Sequence, residues 1–123
     1  MNINSVMVID DSEPDQFLAK IIIRKFDSNI EIFQAYDGQE ALENLGKLSK
    51  PPDIIFLDIN MPRMNGHEFL EVYDTWEEQS VVVVMLTSSD QERDKEKSMS
   101  HRCVKKYFTK PLDLSGLNSL SAS

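Results

Sequence analysis

The chain is short of several features that would point to particular classes of protein. A single cysteine, Cys103, excludes a disulfide within the chain and is compatible with a reducing cytoplasm. No apolar run is long enough to cross a bilayer, and the N-terminus lacks the basic and apolar segments of a signal peptide. A net charge of -8 leaves no basic patch for nucleic acid. We therefore expect a cytoplasmic protein that neither inserts into membranes nor binds nucleic acid directly.

The length and the order of apolar segments predict one α/β domain. At 123 residues the chain can build one sizeable core but not two, so we expect residues 1–123 to form a single domain with no output domain. Helical patterns alternate with five predicted strands, at residues 6–9, 31–36, 54–57, 81–86 and 107–109. Such alternation is typical of right-handed crossovers and of a parallel sheet with helices on both faces, here (βα)5.

Two helical segments carry more detailed predictions. In the first, apolar residues recur at three- and four-residue steps and predict one apolar face toward the sheet: Phe17, Leu18, Ile21, Ile22 and Phe26. The segment 90–102 has Met99 as its only large apolar residue, so we expect it to be the least stable part of the domain. We expect His67 and His101 to be solvated helix residues, and Cys103 to fill the core.

Polar side chains that suit chemistry follow four of the predicted strands. Asp10 and Asp11 follow the first strand, and Asp58 follows the third. Thr87 follows the fourth strand, and Lys110 follows the fifth. Each feature alone is common, since acids and hydroxyls often cap helices. Because parallel strands bring their carboxyl ends to one edge of a sheet, these side chains are predicted to converge.

The convergence would give a site suited to phosphoryl transfer. Three carboxylates close together would raise one another's pKa unless a cation lay among them. Oxygen ligands without histidine or cysteine favour a hard ion, with Mg2+ first. A lysine ammonium and a small hydroxyl could bind phosphoryl oxygens, which is the charge neutralisation that phosphoryl transfer requires. The acceptor would be a carboxylate, and the product an acyl phosphate.

Four segments, in this order and spacing, resemble the receiver domain of two-component response regulators: VMVIDDSEPD, DIIFLDINMPRMNG, VVVVMLTSSD and YFTKPLD. The resemblance covers nearly all of the chain. It implies a CheY-like, flavodoxin-like sheet of five parallel strands in the order 2-1-3-4-5. It also implies that Asp58 is phosphorylated from the phosphohistidine of a histidine kinase or a histidine phosphotransfer protein. The chain would then catalyse only its own phosphorylation and dephosphorylation, and would not be an enzyme in the usual sense.

The resemblance also assigns roles to the other site residues. Asp11, Asp58 and the backbone carbonyl of Asn60 would ligate Mg2+, with Asp10 helping through a water molecule. Lys110 would contact the phosphoryl group, and the bond to Pro111 is expected to be cis. Thr87 and Tyr107 match the family's switch pair, in which the hydroxyl moves toward the phosphoryl group and the ring turns inward behind it. The switch would change the surface offered to a downstream protein target, which the sequence does not identify.

The chain departs from the family pattern near its end. It has Arg102-Cys103-Val104 where relatives usually carry a small Ala-Gly-Ala segment, so the usual glycine cap of the fourth helix is missing. The final helix also looks short. Neither change affects the acidic site, but both concern the output surface.

Three other functions compete with this interpretation. A phosphatase of the haloacid dehalogenase type would need a general-acid aspartate two residues after the nucleophile, where this chain has Asn60. A flavodoxin-like cofactor binder would need a Gly/Ser/Thr loop after the first strand, where residues 10–15 would repel phosphate. The third alternative, a protein-binding module on the receiver fold that works without phosphorylation, stays open.

Overall fold

The computed structural model describes residues 1–76 and 80–122 and contains one parallel sheet. Its strands are β1 (Ser5–Ile9), β2 (Glu31–Ala35), β3 (Ile54–Leu57), β4 (Val82–Thr87) and β5 (Val104–Thr109). They lie side by side in the order β2-β1-β3-β4-β5. The predicted fold class and strand order are confirmed.

Helices alternate with the strands and cover both faces of the sheet. They are α1 (Glu13–Phe26), α2 (Gly38–Lys47), α3 (Gly66–Tyr73), α4 (Glu92–Met99) and α5 (Leu114–Ser121). Apolar side chains of α1 and α5 pack on one face, and those of α2 and α3 pack on the other. The central strand β3 is therefore buried along its whole length, as its unbroken run of large apolar residues predicts. None of the helices described is both long and apolar enough to cross a membrane.

The predicted apolar face of α1 is confirmed for Ile22 and Phe26, which pack against the core, and is wrong for its other three residues. Phe17 is 62% exposed, Leu18 52% and Ile21 42%, whereas Ala19 and Ile23 are fully or almost fully buried. The rotation of the helix is set by a polar residue, Gln16, which is almost completely buried.

The Gln16 side chain ties the start of α1 to the carboxyl ends of two strands. The two N–H groups of its amide nitrogen are shared among the carbonyl oxygens of Val8, Asp10 and Ala35, which lie 2.9–3.0 Å from the nitrogen. Its amide oxygen accepts a hydrogen bond from Gln34 at 3.2 Å. A buried side-chain amide needs hydrogen-bond partners, so turning α1 to bury Phe17 instead would break these hydrogen bonds of Gln16. Hydrogen bonding therefore prevails over apolar periodicity in this helix.

Helix α4 is held to the domain by polar contacts. Met99, expected to be its apolar anchor, is 40% exposed, and Ser98 is buried in its place. The carboxylate of Asp94 accepts a hydrogen bond from the hydroxyl of Ser89 at 2.7 Å and lies 3.2 Å from the ring nitrogen Nε2 of His67. The helix ends at Met99, and the cap residue Ser100 keeps a right-handed backbone, so no glycine is required there.

We expect α4 to open more easily than any other helix of the domain, because it buries so little apolar surface. Native-state amide exchange should show lower protection for residues 92–99 than for α1. Asp94→Asn should lower the protection of α4 further, since it weakens the contacts with Ser89 and His67, and Glu92→Gln serves as the exposed control. Equal protection of α4 and α1 in the wild type would contradict this expectation.

Candidate functional site

The carboxyl edge of the sheet brings the predicted acids together. Asp10 follows β1 and Asp58 follows β3, which are neighbours in the sheet with Ile9 opposite Leu57. The backbone N–H of Asp58 donates to the carbonyl of Ile9 at 3.0 Å, and that of Asp10 donates to Ala35 at 3.0 Å. Both acids are therefore held in register by the strand ladder, and both are buried.

Asp10, Asp11 and Asp58 form a cluster that could hold a cation. Each offers one carboxylate oxygen, and the three oxygens lie within 4.8 Å of one another. Asp11 is exposed, so the cluster opens to solvent on one side. Burial raises the pKa of Asp10, and the nearby charge of Asp58 adds to the rise although hydrogen bonds from Lys110 and Ser12 oppose it. Carboxylate oxygens that repel one another in this way fit a hard divalent cation, which would neutralise their charge.

A lysine from the last strand end already supplies positive charge. The Lys110 ammonium lies 2.7 Å from Asp10, 2.7 Å from Asp15 and 3.1 Å from Asp58. Burial alone would lower the pKa of Lys110, but the hydrogen bonds to Asp10 and Asp15 and the charge of Asp58 raise it above its ordinary value. The ammonium therefore stays charged, and the bond to Pro111 is cis as expected.

Asp15 is a site residue that the sequence did not reveal. It lies in the first turn of α1, where an acid is explained by the helix dipole and the cap at Ser12. Its carboxylate nevertheless reaches Lys110, which is 95 positions later in the chain. The available signal in the sequence was the neighbouring Gln16, which fixes the rotation of α1 and thereby turns Asp15 toward the sheet edge.

Asn60, whose carbonyl was predicted as a metal ligand, follows Asp58 in an exposed turn. The turn is closed by Gly66, whose N–H donates to the carbonyl of Ile59 at 2.8 Å. A Cβ at residue 66 would lie 2.4 Å from the carbonyl oxygen of Asp58. Glycine is thus needed where α3 begins, because the turn brings that helix directly against the backbone of Asp58.

The predicted switch residues are linked through one loop. Thr87 is fully buried at the end of β4, and its hydroxyl accepts a hydrogen bond from the N–H of Ser89 at 3.3 Å. The Tyr107 hydroxyl donates to the carbonyl oxygen of Ser89 at 2.8 Å. The backbone N–H of Lys110 donates to the carbonyl of Thr87 at 2.8 Å. A shift of Thr87 would therefore change the hydrogen bonds that connect it to Tyr107 and to the strand end that carries Lys110.

Neither histidine is a solvated helix residue. His67 is buried at the start of α3 and lies against Asp94, which also holds Ser89. His101 follows α4, and its ring contacts the carboxylate of Asp74. The prediction for Cys103 is confirmed: it is buried in the core, and burial, with Asp74 nearby, raises the pKa of its thiol to about 11.

Comparison with known proteins agrees with this geometry. Residues 6–121 match the family described as response regulator receiver domain. The chain is 36% identical over 109 residues to protein PilG of Pseudomonas aeruginosa, covering 86% of this chain and 76% of PilG. It is 32% identical over 111 residues to the sensor histidine kinase CheAY of Helicobacter pylori, covering 86% of this chain but only 13% of CheAY.

A solved structure is similar over nearly the whole chain. It is the two-component response regulator from Cytophaga hutchinsonii, with a TM-score of 0.88 and 34% identity, covering 99% of this chain and 96% of that one. This chain therefore belongs to the response regulator receiver domain family and acts in two-component signalling.

Proposed function

We propose that Asp58 accepts a phosphoryl group from a phosphohistidine and that this chain switches a protein-interaction surface in response. The observation that carries the proposal is the Lys110 ammonium lying against Asp58 beside the three-carboxylate cluster. A carboxylate oxygen of Asp58 forms a bond to phosphorus as the P–N bond to the donor imidazole breaks. The bonding electrons return to the imidazole nitrogen, which takes up a proton.

The surroundings of Asp58 suit an acceptor. One carboxylate oxygen, Oδ1, accepts the N–H of Ile59 at 2.8 Å, and the other, Oδ2, faces Lys110. These two donors hold the carboxylate in one orientation, as in-line transfer requires. Lys110 can then neutralise charge on the transferring group.

The residues fit Mg2+ as the cation of the acidic cluster. Asp11 and Asp58 would be direct ligands together with the carbonyl of Asn60, and Asp10 would act through water. When bound, the ion supplies charge neutralisation for the phosphoryl oxygens.

The phosphorylated state would be transmitted through Thr87 and Tyr107. The Thr87 hydroxyl would move toward the phosphoryl oxygen and release the N–H of Ser89, to which it is bound at 3.3 Å. Because Ser89 also accepts the Tyr107 hydroxyl and donates to Asp94, the change would reach α4. Helix α4 and β5 would thus present different surfaces to a downstream protein in the two states.

The phosphodonor would dock on the exposed face of α1. Phe17, Leu18 and Ile21 project from the helix whose first turn contributes Asp15 to the site. Lys20, Arg24 and Lys25 lie around this apolar surface, in a chain that is otherwise strongly acidic. An apolar surface with a basic rim, next to the acceptor, fits a histidine kinase or histidine phosphotransfer protein whose own surface is apolar with acidic neighbours.

Under the same proposal the chain works in the cytoplasm and is not an enzyme that acts on other substrates. Its phosphorylation would be a self-catalysed reaction with the donor as substrate.

We expect Asp58→Asn to abolish phosphorylation. With Mg2+ and acetyl phosphate, the intact mass of the wild type should rise by one phosphoryl group, and that of Asp58→Asn should not. Asp90→Asn removes an exposed carboxylate near the same edge and should be labelled like the wild type. Undiminished labelling of Asp58→Asn would refute the acceptor assignment.

Metal binding should separate Asp11 from Lys110. Asp11→Ala removes a direct carboxylate ligand and should weaken Mg2+ binding about tenfold or more, as measured by calorimetry. Lys110→Ala should bind Mg2+ as tightly as the wild type or more tightly, since it frees Asp10 and Asp58 from a competing positive charge. Equal Mg2+ affinity in the wild type and Asp11→Ala would exclude Asp11 as a ligand.

The docking surface can be tested apart from the chemistry. Phe17→Ser should slow transfer from a cognate histidine kinase, chosen by profiling the wild type, by about tenfold, because a central apolar contact is lost. It should leave phosphorylation by acetyl phosphate unchanged. Val72→Ser alters a similarly exposed apolar residue on α3 and should affect neither reaction. If Phe17→Ser slows neither reaction, or slows both equally, the donor does not dock on α1.

A further inference from the structure

The Lys110 ammonium contacts one carboxylate that does not belong to the acidic cluster at the strand ends. A lysine ammonium has three N–H donors, and here three different carboxylates lie within hydrogen-bond distance: Asp10, Asp15 and Asp58. Asp10 and Asp58 belong to the acidic cluster at the strand ends. Asp15 lies outside that cluster, on α1, and its contact with Lys110 is one of the two shortest of the three.

The three carboxylates differ in how easily they can leave the ammonium. The side chain of Asp10 is 4% exposed, and its other oxygen accepts the N–H of Ser12. The side chain of Asp58 is 8% exposed and is the acceptor. That of Asp15 is 37% exposed, so water can replace Lys110 as its partner at little cost.

A phosphoryl group on Asp58 would interact unfavourably with Asp15 in two ways. It brings more negative charge than the carboxylate it modifies, and it draws on the same ammonium for neutralisation. Asp15 already shares that ammonium, and its own negative charge lies close enough to Asp58 for both to contact one nitrogen atom. Both the sharing and the like-charge repulsion oppose the phosphorylated state.

We propose that Asp15 competes with the phosphoryl group for the Lys110 ammonium and so limits how strongly this domain holds its phosphorylated state. The inference rests on the proposed role of Asp58 and adds a positioning residue to it. In the resting state Asp15 holds Lys110 at the sheet edge; in the phosphorylated state the ammonium turns to the phosphoryl oxygens and Asp15 is released to water. Because Asp15 is on α1, this exchange also couples the site to the helix that carries the exposed apolar surface.

The test compares the affinity of purified variants for beryllofluoride, a phosphoryl mimic, in the presence of Mg2+. Asp15→Asn removes the charge but keeps the shape, and it should bind the mimic about two- to tenfold more tightly than the wild type. Asp15→Ala should change in the same direction. Glu13→Gln makes the same charge change in the same turn of α1, at an exposed position, and should bind the mimic like the wild type.

Unchanged or weaker binding by Asp15→Asn would overturn the proposal, because Asp15 would then be neutral or would support the phosphorylated state. An equal gain in Glu13→Gln would overturn it too, because the effect would then come from the net charge of α1 alone.

A second measurement uses the metal-free protein and needs no phosphoryl mimic. Nitrogen-15 NMR of the Lys110 ammonium should show slower hydrogen exchange in the wild type and Glu13→Gln than in Asp15→Ala, where one partner is lost. Equal exchange in all three would mean that Asp15 does not hold the ammonium. Failure of the proposed function would give a different result. The wild type itself would then not bind beryllofluoride, or Asp58→Asn would bind it as tightly as the wild type does.

Discussion

The site depends on the ion pairing of Lys110 at the carboxyl edge of the sheet. A parallel sheet brings the ends of β1 and β3 to adjacent positions, and in this chain both ends carry a buried acid, Asp10 and Asp58. Two buried carboxylates so close together would resist ionisation without a positive charge between them. Lys110 supplies that charge from the end of β5, and its backbone is tied to Thr87. The proposed acceptor, the proposed cation site and the proposed switch are therefore connected through one residue.

Helix α1 serves both the site and the surface because Gln16 controls its rotation. The amide of Gln16 bonds to carbonyl groups at the ends of β1 and β2, which turns Asp15 toward Lys110. The same rotation leaves Phe17 and Leu18 in solvent. A buried polar residue thus produces an exposed apolar surface next to the proposed acceptor. The partner-binding role proposed for that surface follows from where the helix must be held.

On the other side of the site, polar contacts replace apolar packing. Ser89 joins the hydroxyl groups of Thr87 and Tyr107 to Asp94 of α4, and Asp94 also contacts His67. Such hydrogen bonds can be exchanged for others without exposing a core, so we expect a change in the position of α4 to cost little free energy. This is a physical basis for the proposed switch at α4.

The sequence by itself determined the fold and the acids that follow the strands of the site. Apolar strands such as residues 54–57 can only be buried in the middle of a parallel sheet, and the residue after each strand must then lie at the common edge. What it did not determine was the rotation of each helix and the reach of its side chains. The place of Asp15 beside Lys110, the burial of His67 and the exposure of Phe17 depend on contacts between residues far apart in the chain. Local periodicity carries no information about such contacts, and only the tertiary structure decided them.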